Sequence, residues 1–95
     1  MIQDDITQAI LLRIDQLLHM VGEEVYWDHR FNEQRIWVRF DEVVHNAWAS
    51  LHHLIQIGDI ITRVDQDRNQ ETRYRVSSIV KNFRAETQSL LLAKL

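Results

Sequence analysis

Apolar residues near the start of the chain recur at helical spacing. Ile6, Ile10, Ile14, Leu17, Leu18 and Val21 fall on one face of a helix predicted over residues 5–21. Asp5 and Gln8 have the spacing of a capping box, and Gly22 stands where a C-terminal turn would end the helix. Leu11 widens the apolar face and Leu12 lies well round the back. So broad an arc fits a helix wedged between a sheet and a second helix, or one that also meets a partner chain.

The period then changes to two. Residues 24–31 and 35–40 read as a hairpin joined at 32–34. Val25, Trp27, His29 and Phe31 on the first strand, with Ile36, Val38 and Phe40 on the second, are expected to face the core. The opposite face carries Tyr26, Asp28 and Arg30, then Arg35, Trp37 and Arg39. Tyr, Trp and Arg are enriched at binding hot spots, so these six residues, with Leu11 and Leu12, are the interface candidates. On this reading Trp37 is largely exposed; the competing reading places it beneath the first helix.

Val44, Ala47, Trp48, Leu51, Leu54 and Ile55 return to helical spacing and predict a second helix over 42–55, capped by Asp41. Trp48 is its expected core anchor, nearly fully buried. Gly58-Asp59 turns the chain into three β-rich runs, starting at Ile57, Tyr74 and Ser89. Tyr74, Val76, Ser78 and Val80 alternate with Arg73, Arg75, Ser77 and Ile79. The last run is apolar on both sides, which suits a central strand or one paired with another chain. The expected fold class is α+β: one domain over 1–95, with a small antiparallel sheet or partly open barrel of about five strands and two helices, in the order α-β-β-α-β-β-β.

Composition narrows the function classes. The apolar fraction of 45% and charged fraction of 26% are those of a globular domain, which excludes global disorder. No cysteine is present, so disulfides, thiolate metal sites and cysteine nucleophiles are excluded, and a reducing compartment is the expectation. The acidic start and the lack of a long apolar run predict neither secretion nor membrane insertion. The net charge is −3, and the basic cluster Arg68, Arg73, Arg75, Lys81 and Arg84 is diluted by acids, which argues against direct sequence-specific nucleic-acid binding.

Candidate chemistry is thin. His45, His52 and His53 on a helix lack the three-or-four spacing of a zinc site, so they read as a solvated face. Asp65, Asp67, Asn69 and Glu71 follow the start of a calcium loop, but Gln70 replaces the required glycine and Val76 the final glutamate. Ser77 and Ser78 lack a nucleophile-elbow glycine pattern, and the chain has no glycine-rich phosphate loop. The expectation is a non-enzyme with no catalytic residues, no metal and no cofactor.

Gly58-Asp59-Ile60-Ile61, then Tyr74-Arg75-Val76-Ser77-Ser78-Ile79-Val80, then Leu90-Leu91-Leu92-Ala93 resembles the C-terminal part of tailed-phage neck proteins of the head-closure, or head–tail joining, type. The resemblance covers the last third of the chain. It implies a structural virion protein forming a ring between a portal-side adaptor and the tail, in the virion or the host cytoplasm. Compact size and acidity suit a second class as well, a small phage-encoded inhibitor or regulator that binds one host protein through the hairpin face.

Overall fold

The computed structural model describes residues 13–41 and 45–95. Residues 13–21 are helical (α1), and six strands follow: β1 Glu23–His29, β2 Asn32–Asp41, β3 Asn46–Ser50, β4 Ile60–Asp65, β5 Gln70–Asn82 and β6 Thr87–Lys94. All neighbouring strands are antiparallel, and the sheet closes into a barrel in the order β1-β2-β3-β6-β5-β4. Closure gives every strand two neighbours, with the ladders staggered: β2 pairs with β1 up to Val38 and with β3 from Arg39, and β5 pairs with β4 only up to Arg75. The three C-terminal strands are those expected from the sequence, and β6 lies between β3 and β5 with Leu90 and Leu92 buried inward and Leu91 exposed on the outer wall.

The expected second helix is not formed. Residues 46–50 are β3, and 51–59 form a turn and an irregular loop. His45 has a left-handed backbone (φ 50°), which breaks any helix at that point. Ala47 and Ala49 point into the barrel and are fully buried, whereas Trp48 lies half-buried on the outer wall. Trp48 is therefore not the core anchor. The two alanines fill the interior because opposing walls of a small barrel leave room for small side chains as well as large ones. Of the first predicted helix, residues 5–12, including Leu11 and Leu12, lie outside the described residues, as does Val44.

Inward residues follow the period of two on β1 and β2: Val25, Trp27, Ile36 and Val38 are all buried. On β5 the alternation breaks. A bulge between Val76 and Ser78 shifts the pairing, so that Val76 faces Leu92 and Ile79 faces Leu90. Ile79 thereby packs against the core, while Val80, expected on the Val76 face, turns outward.

One connection leaves the hairpin pattern. β3 has β2 and β6 as neighbours and β4 has β1 and β5, so residues 51–59 must cross the mouth of the barrel. Ile55 is buried there as the plug. The buried side chain of Gln88 on β6 anchors the crossing, donating through Nε2 to the carbonyls of Ser50 (2.8 Å) and His53 (2.7 Å). At the far side Gly58, at φ +96°, donates to the Val76 carbonyl, and Val76 N–H returns a bond to Asp59 O. The left-handed turn at Gly58 and these two bonds place Asp59 beneath β1.

Outside the barrel, α1 lies over β2 and β3. Leu18 is buried against the strands, and the Gly22 amide closes the last turn onto the Leu18 carbonyl at 2.8 Å. A side chain at position 22 would collide with the backbone carbonyl of Val38, so Gly22 is what lets α1 meet β2 so closely. Among the described residues no helix is long and apolar enough to cross a membrane.

Candidate functional site at the barrel mouth

The strand directions place the β1–β2 turn, the crossing loop and the β5–β6 turn at one end of the barrel. The β1–β2 turn has Arg30 and Phe31 as its only central residues, because His29 already pairs with Asn32. Both have positive φ, 50° and 67°. That is the twist of a two-residue hairpin turn that normally takes Asn and Gly. A bulky residue in this region is strained by about 1–2 kcal/mol. Phe31 was expected to continue the inward row of β1. The turn reverses the chain first, and Phe31 is 101% exposed.

Three further large side chains share this end. Leu54 and Ile57 on the crossing loop are 76% and 69% exposed, and Phe83 in the β5–β6 turn is 77% exposed. Phe31 and Ile57 line one shallow cleft, together with Asp28, His29, Gln56 and Asp59. Leu54 lines a second cleft with Trp27, His29, Asn32 and Gln34.

Beneath this rim lies a polar cluster. The buried Asp59 carboxylate accepts from Trp27 Nε1–H at 2.9 Å and from Gln56 N–H at 2.8 Å through Oδ2, and from His29 Nδ1–H at 2.7 Å through Oδ1. It thus joins β1 to the crossing loop and supplies the physical reason for Asp after Gly58. His29 faces inward as expected, half-buried on this carboxylate.

Next to it, Asp15 of α1 meets His52 and His53. Each offers one ligand atom, and these atoms lie within 4.8 Å of one another. His52 Nε2 is 3.4 Å from Asp15 Oδ2, and the His52 and His53 rings are in tilted contact with centroids 4.1 Å apart. Burial pushes the His53 imidazole down to about 4; neighbouring His52 adds to the shift and Asp15 opposes it. Since residues 51–59 are not helical, helical ligand spacing does not govern these histidines. Asp15 stands far from them in sequence and no local pattern points to it.

The hairpin-face candidates do not form one surface. Trp37 is half-buried with its ring 4.2 Å from that of His19 on α1, so the helix covers this end of the face. Tyr26 and Asp28 line a cleft with Glu33, Thr62 and Arg73 on the uncovered side. Arg35 lies 3.6 Å from Glu24, and Arg30 sits in the strained turn. Arg39 instead lines an apolar groove beside α1, with Leu17, Val21, Phe40 and Trp48.

Residues 66–69 of the polar run at 65–71 form the β4–β5 turn, and the ends of the run belong to the two strands. Asp65 Oδ1 accepts from the amides of Asp67 and Arg68 at 3.2 and 3.3 Å, and Asn69 takes the left-handed position. Those amide contacts account for the acidic residue at the turn's start.

No family model matches the chain, and no curated protein or solved structure matches it.

Proposed function

We propose that the chain is a structural virion component of the head-closure, or head–tail joining, type, whose copies join in a ring by protein–protein contacts. The observation that carries this reading is the fully exposed Phe31 on a strained turn, at the same end as exposed Leu54, Ile57 and Phe83. An isolated barrel gains nothing from holding a phenylalanine in a left-handed turn in water. Such strain persists where a contact offsets it, and an apolar end of this kind marks an interaction surface.

A ring needs two different surfaces on each copy, one for each neighbour. The groove beside α1, lined by Leu17, Val21, Phe40 and Trp48, offers an apolar surface away from that end. In this reading the apolar end of one barrel seats in that groove of the next copy. Arg39 at the groove sets register more than affinity.

The test is light scattering of the purified chain over a wide concentration range, beside the double variant Phe31→Ser/Ile57→Ser. Closed oligomers in the wild type and monomers in the variant are expected. A wild-type chain that stays monomeric and instead forms a one-to-one complex with a single host protein would overturn the ring in favour of the inhibitor.

A further inference from the structure

We propose that Asp15, His52 and His53 form a binding site for a divalent transition ion of the zinc class, clipping α1 to the loop that crosses the barrel mouth. This inference is independent of the ring. Two imidazoles and one carboxylate form a common zinc donor set that leaves a fourth position for water. Tetrahedral ligands at zinc–nitrogen and zinc–oxygen bond lengths lie about 3.4 Å from one another. His52 Nε2 and Asp15 Oδ2 already stand 3.4 Å apart, and all three ligand atoms fall within 4.8 Å. Small rotations about side-chain bonds bring them onto one ion.

The surroundings are those of a held ligand set. His52 Nδ1 lies 2.6 Å from Ser50 Oγ. When Nδ1–H donates to that hydroxyl, the lone pair of Nε2 points toward Asp15, the outer hydrogen bond that orients metal-ligating histidines. Ser50 is itself buried, and its carbonyl and that of His53 are both gripped by Gln88, which fixes the backbone on either side of the pair. The Trp27 ring lies 5.9 Å from that of His53 and walls the site on the barrel side. Two nitrogen donors exclude calcium and magnesium, which take oxygen ligands, and favour zinc, cobalt, nickel or copper.

The experiment uses the full chain with Zn2+ in calorimetry and Co2+ as a spectroscopic probe. One ion per chain is expected, with cobalt giving the visible absorption of a tetrahedral site. Asp15→Asn and His52→Gln should each weaken binding at least tenfold, while His45→Ala, at an exposed histidine outside the cluster, should leave it unchanged. Zinc-induced shifts of the His52 and His53 ring resonances in the wild-type chain provide a readout that does not depend on any variant folding. Absence of one-to-one binding, ring resonances unmoved by zinc, or wild-type affinity in a folded Asp15→Asn or His52→Gln chain would each overturn the site.

Discussion

Replacing Asp59 tests the crossing loop at its most concentrated point. The carboxylate is 6% exposed and accepts from Trp27 Nε1–H, Gln56 N–H and His29 Nδ1–H at 2.7–2.9 Å. In Asp59→Ala the Trp27 indole and the Gln56 amide lose their acceptor. The buried indole donor left alone costs about 1–3 kcal/mol, whereas the Gln56 amide, on an exposed residue, recovers part of its loss from water. His29 is half-buried and recovers part of its loss in the same way, so the sum is about 2–4 kcal/mol. Asp59→Asn behaves differently. Its amide oxygen still serves Trp27 and Gln56, and its NH2 meets a His29 nitrogen that accepts in the other tautomer. Only the charge assistance goes, at a cost of about 1–2 kcal/mol. A domain of this size has about 5–14 kcal/mol in all, so the alanine variant loses a large share of it. Urea unfolding followed by tryptophan fluorescence reads both values. An alanine variant within 1 kcal/mol of wild type, or an asparagine variant as damaged as the alanine one, would refute the reasoning.

Other substitutions probe separate parts of the account. Gly22→Ala places a methyl group against the Val38 backbone, so it should cost about 1–3 kcal/mol and loosen α1 from β2, read as faster amide exchange in residues 18–22. Phe31→Gly relieves the left-handed strain and removes no buried contact; stability unchanged or raised by up to about 1 kcal/mol is expected, and a loss larger than that would show hidden packing. In metal-free protein His53 titrates near 4 when folded against 6.5 unfolded. The unfolded chain therefore takes up the proton first: stability is full above pH 6.5 and is lost as pH falls from there through 4. The shift corresponds to about 3 kcal/mol at face value, and solvent screening of the partly exposed ring reduces it to roughly 1–2 kcal/mol. Urea midpoints between pH 7.5 and 4 should fall accordingly, with a flatter dependence in His53→Gln.

Sequence periodicity revealed the hairpin because its inward residues alternate cleanly, as Val25, Trp27, Ile36 and Val38 do, and the three C-terminal strands showed as β-rich runs separated by polar breaks. It failed at 42–55 because Ala47, Trp48, Leu51, Leu54 and Ile55 keep helical spacing for unrelated reasons. Ala47 fills the interior, Trp48 covers the wall, Ile55 plugs the mouth, and Leu54 is exposed. Local propensity was overridden by closure of the barrel, which needs a strand between β2 and β6. The phase shift on β5 was equally hidden, since nothing in Val76-Ser77-Ser78 announces a bulge. The site was less legible than the fold. Gly58-Asp59 stood out as a turn, but its carboxylate finds Trp27 and His29 only across 30 or more residues of chain. Asp15 reaches His52 over a similar separation. Phe31 could have been singled out by asking where the hairpin turns, because a two-residue turn at 30–31 removes it from the inward row.

The most direct test of the ring is a photo-crosslinking amino acid placed at Phe31, with the same residue at Arg68 in the β4–β5 turn at the opposite end as control. The account predicts covalent dimers and higher multimers of this chain from position 31, with the adducts mapping to the groove residues Leu17, Val21, Phe40 or Trp48, and none from position 68. Adducts of equal yield from both ends, or no chain-to-chain adduct from position 31, would contradict it.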